Sequence, residues 1–375
     1  MEEFLNKTVL RCFYMGNVLL DVRDLSVTYR ISGGFVKALR DVSFRVYEGE
    51  FVAIVGESGS GKSTLGLAII GLLPSNAIAS GEIIYKGNNL LKVDTRSRER
   101  FMGSEIGMIF QNPMNSLRPT EKVSKQFTDT LKAAEARGGL KLEAYDYSKL
   151  NANSVSLSSV ILSKLSLGKS NLSIISNSKS KYMLEAIKWL KLVRIPDPES
   201  VLEKYPFQLS GGMLQRIMIA MALSLKPSLL IADEPTTALD VITQAQVLKL
   251  MRELINEVNA SILLITHDMG VAAQVADRVI VLYAGELVED APVQELFKNP
   301  MHPYTVGLLN SIPRGHKSSG KLSPIRGFIP DLRSEIRGCV FADRCDKAMD
   351  ICHVSKPGYI EVNEKHLVRC FLYGK

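Results

Sequence analysis

Residues 56–64, GESGSGKST, have the residue types and spacing of a phosphate-binding loop. Glycines let the backbone curl closely around an anion, so that its N–H groups point at phosphate oxygens. Lys62 adds a positive charge for the β- and γ-phosphates, and the Ser63 hydroxyl suits Mg²⁺. The alternative is a chance match in a Gly/Ser-rich turn. We predict a nucleotide-binding site, because the segments on both sides are also those that such a site needs.

The loop lies between a predicted strand and a predicted helix. EFVAIV, which begins at Glu50, is a short apolar run of strand length. LGLAIIGLL, which follows the loop, is an apolar stretch of small residues that we interpret as a helix. The positive end of that helix would point at the bound phosphate.

Polar residues also end three predicted strands further along the chain. Gln111 follows IGMIF and is either a turn residue or a ligand of metal and water. Asp233 and Glu234 follow LLIA, where an Asp holds Mg²⁺ through water and a Glu positions or deprotonates an attacking water. His267 follows SILLIT and is within reach of a γ-phosphate, although alone it would be read as an ordinary capping residue.

Two further features have both a structural and a functional interpretation. In LSGGMLQR, Ser210 is a plausible N-cap, and the glycines after it would let a ligand approach the helix N-terminus. A plain capped helix explains the same pattern equally well. Tyr29 ends an alternating strand, where it would either stack on a base or cover the sheet; the pattern alone favours the sheet.

Composition restricts the class of protein. The chain has 375 residues, of which 46% are hydrophobic and 23% charged, as expected for a globular protein of two or three domains. The best candidate for a membrane span, residues 217–232, is interrupted by Lys226 and Pro227, so no membrane span is predicted. The net charge of +7 permits contact with nucleic acid, but the basic residues are scattered. With no signal peptide in view, we expect a cytoplasmic location.

The order of these motifs is itself informative. An aromatic residue, the phosphate loop, Gln, LSGGMLQR, DEP, ALD and His succeed one another, and residues 18–300 closely resemble the ATPase subunits of ATP-binding cassette transporters. The resemblance implies an α/β RecA-like phosphate-loop core with an antiparallel β-subdomain and a helical subdomain near residues 113–225. Short alternating strands from Val18 to Val46 agree with the antiparallel part.

The resemblance also implies a role for each motif. Tyr29 would stack on adenine, Ser63 and Gln111 would ligate Mg²⁺, Asp233 would be the metal-linked carboxylate, Glu234 the general base and His267 the γ-phosphate switch. The residues expected to hold the phosphates are Gly56, Glu57, Ser58, Gly59, Ser60, Gly61, Lys62, Ser63 and Thr64.

In such proteins a single cassette forms half of each site. Ser210, Gly211 and Gly212 would cap the γ-phosphate of ATP held by another cassette, and Asp240 would lie at that interface. The resemblance therefore implies a second ATPase subunit, more plausibly a paralogue than a second copy, and two membrane permeases at the cytoplasmic face of the membrane. An extracellular substrate-binding protein would act indirectly, and no nucleic acid is expected. Leu214 is the one atypical signature position.

The C-terminal part resembles the tail of oligopeptide and dipeptide importer ATPases, with the segments NPMHPYTVGLLNSIP and GCVFADRCDKAMDICHVSKPGY. The resemblance suggests a [4Fe–4S] cluster, and four thiolates in a loop-rich tail suit one; zinc and unliganded thiols are the alternatives. Asp346 replaces the proline usual after the second cysteine. The expected ligands are Cys339, Cys345, Cys352 and Cys370.

The expected organisation has three parts. Residues 1–16 would be an N-terminal extension (with Met15 as an alternative start), 17–300 the cassette, and 301–375 a C-terminal domain organised by the four cysteines. A serine-rich segment at about residues 140–180 would be a surface insertion. The predicted function is ATP hydrolysis that drives uptake of peptides, with oligosaccharides or nickel as the alternative cargoes. The alternatives are a cassette ATPase acting on nucleic acid or ribosomes, and a redox-regulated tail.

Overall fold

The computed structural model describes residues 16–111, 116–140, 142, 178–237, 239–311, 325–363 and 365–374. The described residues form two compact units. The first contains those up to Arg98, Ser228–Glu234 and those from Ile255 onward, and the second contains Glu99–Pro227 and Pro235–Leu254. Most of the predicted N-terminal extension and nearly all of the serine-rich segment lie outside the described residues.

The strands of these residues are β1 (Val18–Ile31), β2 (Gly34–Tyr47), β3 (Phe51–Val55), β4 (Ala77–Tyr85), β5 (Asn88–Asn89), β6 (Ile106–Ile109), β7 (Leu229–Asp233), β8 (Ser261–Thr266), β9 (Arg278–Tyr283), β10 (Glu286–Pro292), β11 (Ile360–Asn363) and β12 (His366–Val368). The helices are α1 (Lys62–Ile70), α2 (Thr95–Phe101), α3 (Val123–Ala136), α4 (Ser178–Leu192), α5 (Pro198–Leu202), α6 (Gly211–Ser224), α7 (Val241–Val258), α8 (Met269–Val275), α9 (Val293–Lys298), α10 (Pro303–Asn310) and α11 (Asp350–Val354). None of these helices is both long and apolar enough to cross a membrane.

The first unit is built around a mixed sheet, in which the unit's strands follow the order β11-β12-β10-β9-β3-β8-β7. β3, β7 and β8 are parallel neighbours, and every residue in them is buried. Continuous apolar runs are expected in parallel strands, because both faces of such a sheet are covered. Val55 pairs with Thr266 and Asp233 with Ile265, so the carboxyl ends of these strands meet at one edge.

A second, antiparallel sheet in the same unit has the order β2-β1-β4-β5. This arrangement confirms the antiparallel sheet predicted from the alternating N-terminal segments. Tyr29 of β1 pairs with Val36 of β2 and Ala77 of β4, so it lies in the middle of the sheet's three-strand part.

The second unit is mainly helical. α3 buries Val123, Phe127, Leu131 and Ala134, which recur at the three- and four-residue spacing of one helix face. α4 packs against both α3 and α6. The carboxylate of Glu135 on α3 accepts hydrogen bonds from Lys181 and Tyr182 on α4, which ties these two helices together.

The C-terminal residues belong to the first unit. β12 pairs with β10 and β11 with β12, both antiparallel, so the tail adds strands to the larger sheet. A separate domain organised by the cysteines is therefore not confirmed. β11 and β12 were not predicted, because a four-residue and a three-residue strand carry almost no periodic signal.

Buried ionisable groups hold the tail to β10. The fully buried carboxylate of Glu289 accepts hydrogen bonds from the His302 N–H and pairs with the ring of His366 on β12. The Nδ1 atom of His302 accepts a hydrogen bond from the Tyr304 N–H and so caps α10. Burial lowers the pKa of His302 from 6.5 to about 4, although the nearby Glu289 opposes that shift.

We expect this histidine to make folding sensitive to acid. Between pH 6.5 and about 4 the unfolded chain binds the proton that the folded chain rejects, so stability falls as pH falls through this range. The loss should be about 2 kcal/mol at pH 5. His302→Asn keeps a capping acceptor without the titration, and it should flatten the fall in Tm between pH 7 and pH 5. The same substitution at the exposed His353 is the matched control. An equal fall in Tm between pH 7 and pH 5 in wild type and His302→Asn would contradict the assignment.

Candidate active site

Backbone atoms crowd the phosphate loop so closely that two positions admit no side chain. A Cβ atom at Gly56 would lie 2.1 Å from the Leu282 carbonyl oxygen, and one at Gly61 would lie 2.5 Å from that of Ala38. Gly61 also has a φ of 100°, in the region that glycine favours. The neighbouring strands β9 and β2 therefore require glycine at both positions, whether or not a ligand approaches the loop.

The side chain of Lys62 folds back over the loop. Its ammonium group donates to the carbonyl oxygens of Gly56 (2.7 Å) and Glu57 (2.9 Å), and Lys62 is only 5% exposed. Burial lowers the pKa of Lys62, while the charges of Glu234, Asp233 and Glu57 oppose that shift. The ammonium group also donates to the Ser60 hydroxyl at 3.4 Å, and a cation held by such neutral oxygens is well placed to exchange some of these contacts for the oxygens of a polyphosphate.

Ser63 and Asp233 bring together two oxygen ligands of the kind that Mg²⁺ prefers. The Ser63 hydroxyl, at the start of α1, donates to Oδ1 of Asp233 at the end of β7, over 3.2 Å. Burial raises the pKa of Asp233, the hydrogen bond from Ser63 opposes that shift, and the charge of Glu234 adds to it. Burial of the ionised Asp233 carboxylate costs free energy, and a bound cation would offset that cost. The Ser63 hydroxyl and the Asp233 carboxylate therefore fit Mg²⁺.

Glu234 and His267 form a pair at the same edge of the sheet. Nδ1 of His267 lies 2.9 Å from Oε1 of Glu234. Glu234 has a φ of +44°, although it is not a glycine, and its N–H donates to the Ile265 carbonyl of β8. A left-handed backbone outside glycine costs free energy and is concentrated at functional sites, where surrounding contacts hold it. The carboxylate is therefore aimed by the backbone and by His267 together.

Tyr29 is connected to the loop region by its hydroxyl, which lies 3.2 Å from Oγ1 of Thr64 on α1. The residue is only partly buried. Its ring thus stands at the surface, near the start of the helix that follows the loop. The stacking role that family resemblance implies for Tyr29 stays a prediction.

The LSGG segment belongs to the second unit. Ser210 is the N-cap of α6 and accepts a hydrogen bond from the Met213 N–H, as predicted, and Ser210 and Gly211 are exposed. Gly212 lies against Thr243 of α7, where a Cβ atom would be 3.3 Å from the threonine methyl. These residues and Asp240 line an open groove of about 450 Å³.

The structure brings most, but not all, of the predicted residues into one place. Lys62, Ser63, Asp233, Glu234 and His267 lie together in the first unit. Gln111 is exposed two residues beyond β6 in the second unit, so its role stays a prediction.

Glu57 is bound on its outer side by groups that sequence reasoning missed. Its carboxylate contacts Arg344, and its N–H donates to the Tyr304 hydroxyl. No local pattern marks those two partners, which lie 287 and 247 positions away along the chain.

The four C-terminal cysteines are all free thiols in one small region. Burial, with smaller contributions from the neighbouring Cys352 and Cys370, raises the pKa of Cys339 to about 12. Among the described residues, no group of three or more Cys, His, Asp or Glu is arranged to hold a metal. A [4Fe–4S] cluster or zinc requires converging thiolates. As arranged here, the cysteines do not fit either group, and the predicted cluster is not shown.

Comparison with known proteins agrees with this geometry. The profile of the ABC transporter family matches residues 39–237, which include the phosphate loop, the LSGG segment, Asp233 and Glu234. The chain therefore belongs to the ABC transporter family, and it is an ATPase whose hydrolysis is coupled to transport. A second profile, the C-terminal region of oligopeptide/dipeptide transporters, matches residues 288–352, which places the chain in that subfamily.

Relatives cover nearly the whole chain. The dipeptide transport ATP-binding protein DppD of Bacillus subtilis is 42% identical over 94% of this chain and 94% of its own. The oligopeptide transport ATP-binding protein OppD of Bacillus subtilis is 42% identical over 94% of this chain and 88% of its own, and that of Salmonella typhimurium is 38% identical over 94% and 93%. Among solved structures, the ATP-binding cassette MJ0796, in a dimeric post-hydrolysis state with ADP and Pi, is 25% identical with a TM-score of 0.56, over 73% of this chain and 98% of that one.

The crowding at Gly56 predicts the effect of a single methyl group. Gly56→Ala would place a Cβ atom against the Leu282 carbonyl, so the loop must shift, and we expect ATP affinity to fall at least tenfold. Equilibrium binding of a fluorescent ATP analogue measures this change. Gly358→Ala, at an exposed glycine with open surroundings and no left-handed φ, is the control and should bind as wild type does. Unchanged affinity in Gly56→Ala would show that the loop is not held as described.

Proposed function

We propose that this chain is the ATP-hydrolysing subunit of a peptide importer, with Glu234 as general base. The observation that carries this proposal is the Glu234–His267 pair beside Ser63, Asp233 and Lys62 at one edge of a parallel sheet. Ligands of open α/β sheets bind outside the carboxyl ends of the strands, which is where these side chains lie.

Different residues of the site bind different parts of ATP and its Mg²⁺. Lys62 exchanges its loop carbonyls for the β- and γ-phosphate oxygens, and the backbone N–H groups of the loop and of the first turn of α1 surround the phosphates. Ser63 and Asp233 would hold Mg²⁺, with Gln111 as a further predicted ligand. That ion supplies Lewis-acid stabilisation of the charge that develops on the phosphates. Tyr29 stacks on the adenine ring.

Glu234 is placed to act on water. Its carboxylate orients a water molecule for in-line attack on the γ-phosphate and accepts the water's proton as the new P–O bond forms, while the bond from the γ-phosphorus to the bridging β–γ oxygen breaks and ADP leaves with that oxygen. His267 holds the carboxylate through Nδ1, which leaves Nε2 available to contact the γ-phosphate. The left-handed backbone of Glu234 keeps this geometry, because a relaxed backbone would turn the side chain away.

A complete site requires a second cassette. Ser210, Gly211 and Gly212 begin α6 with an exposed N-terminus, whose N–H groups and dipole favour an anion. We propose that they contact the γ-phosphate of ATP held by a partner subunit, with Asp240 at the interface, and that the partner is a paralogue. A solved structure of similar fold is described as dimeric, which supports this arrangement.

The cargo is assigned from the relatives. Proteins about 40% identical over nearly their full length are named for dipeptide and oligopeptide transport, so peptides are the proposed substrate class, in preference to oligosaccharides or nickel. The chain would then sit at the cytoplasmic face of the membrane with two permeases and, across the membrane, a binding protein. No iron–sulfur cluster enters this proposal, since the thiols do not fit one.

Glu234→Gln tests the general base. The variant should bind ATP as wild type does, because amide and carboxylate have the same shape, but hydrolyse it at least about 100-fold more slowly. Phosphate release by the chain assembled with its partner subunits is the measurement. Glu48→Gln removes an exposed carboxylate far from the loop and serves as the control. Turnover near wild type in Glu234→Gln would remove the assignment.

The transport function has its own test. The chain is reconstituted in liposomes with the two permeases, the second ATPase and the binding protein that the proposed function requires, with ATP on the ATPase side. We expect uptake of a labelled di- or oligopeptide that requires ATP and is lost in Glu234→Gln. Uptake of nickel or oligosaccharide in place of peptide would contradict the assigned cargo.

A further inference from the structure

Arg344, in the C-terminal segment, binds directly to the phosphate loop. Its two terminal nitrogens contact the two carboxylate oxygens of Glu57, at 2.7 and 3.1 Å. The Arg344 side chain is 6% exposed and that of Glu57 is 28% exposed, so the pair is largely shielded from solvent. Bidentate Arg–carboxylate pairs of this kind fix orientation as well as charge.

The rest of the Arg344 side chain is also satisfied. Its guanidinium donates to the carbonyl oxygen of Arg326 and to the hydroxyl of Tyr283, and it lies 5.6 Å from the Tyr283 ring centroid. Burial by itself lowers the pKa of Arg344, but the hydrogen bonds to Glu57 and Tyr283 outweigh burial and raise it. Arg344 is thus a permanent cation that several elements hold in place.

Glu57 makes its other contacts on the same side. Its N–H donates to the Tyr304 hydroxyl at 2.8 Å, and Tyr304 packs on Tyr283 and Phe341 with ring centroids 4.5 and 5.5 Å away. The carbonyl oxygen of Glu57 alone turns inward, toward Lys62. The side chain and N–H of this loop residue therefore face the tail, and its carboxylate is placed to be neutralised there.

An unpaired carboxylate at residue 57 would repel the negatively charged phosphates of ATP. Glu57 already acts electrostatically on Lys62, and the phosphates of ATP would occupy the same loop. Like charges in a partly dry site repel strongly, so a loop that carries a glutamate needs a nearby cation to bind a polyanion well. Arg344 is that cation, and it comes from the other end of the chain.

We propose that Arg344 is a positioning residue for ATP binding: it neutralises Glu57 and anchors the phosphate loop to the C-terminal segment. This inference rests on the proposed function, in which the loop holds ATP. The backbone next to Cys345 holds Arg344 in place. Arg344 ends a short 3₁₀ helix, and the N–H of the next residue, Cys345, bonds to the Ala342 carbonyl. Movement of that helix would therefore alter ATP affinity.

Arg344→Gln removes the charge but keeps donors for the carbonyl oxygens. With the full chain, we expect the Kd for a fluorescent ATP analogue to rise about tenfold and the KM for ATP to rise with it, while kcat changes less than twofold. The decisive variant is Glu57→Gln/Arg344→Gln, in which no carboxylate remains to be neutralised. We expect this double variant to recover to within threefold of the wild-type Kd.

Controls separate the possible failures. Arg333→Gln removes an arginine from an exposed bidentate pair with Asp331 in the same segment, and it should leave the Kd unchanged. Lys62→Ala tests the proposed function independently, because loss of nucleotide binding in this variant is required whether or not Arg344 matters. Wild-type binding by Lys62→Ala would overturn the proposed function itself.

Two outcomes would overturn the inference. Unchanged affinity in Arg344→Gln, with binding lost in Lys62→Ala, would show that the pair does not influence ATP. Weakened affinity that the double variant does not recover would show that Arg344 acts only through folding of the tail. If Arg344→Gln does not fold, Glu57→Gln decides: it removes the carboxylate that Arg344 neutralises and should stay within threefold of the wild-type Kd, and a tenfold loss would contradict neutralisation.

Discussion

The close packing of backbone around the phosphate loop is the constraint on which the rest of the site depends. The Leu282 carbonyl lies where a side chain at residue 56 would be, and the Ala38 carbonyl does the same at residue 61. The loop is thereby held against β9 and β2, and its Ser60 carbonyl accepts from the Gly285 N–H. A loop held on several sides has little conformational freedom to lose when a polyphosphate binds, which favours affinity.

The Glu234–His267 pair depends on the same framework. Glu234 takes a left-handed backbone conformation at the end of β7, and its N–H is bonded to β8, so the register of two parallel strands fixes the carboxylate. Asp233, one residue earlier, faces Ser63 instead of His267. The two adjacent carboxylates thus have different partners, Ser63 for Asp233 and His267 for Glu234, because the backbone turns into a left-handed conformation at Glu234.

The C-terminal tail is better understood as part of the nucleotide-binding unit than as an appendage. β12 extends the larger sheet, Glu289 joins His366 to β10, and Arg344 reaches the phosphate loop. The profile of the oligopeptide/dipeptide transporter C-terminal region covers residues 288–352, and in this chain that region contacts the phosphate loop through Arg344. The cysteines lie along that route, although their arrangement here does not form a metal site.

Sequence alone determined the features whose requirements are local. A phosphate loop needs glycines and a lysine within nine residues, a buried parallel strand needs a short apolar run, and an N-cap needs one side chain such as Ser210; the structure places each where it was predicted. Family resemblance added the order of the motifs and their roles. Tertiary structure alone decided how Glu57 is used, because its partner is 287 positions away and an ion pair leaves no periodic trace. Tertiary structure also decided how the C-terminal cysteines are arranged. Their spacing along the chain does not show whether their sulfur atoms converge in space, which metal binding requires.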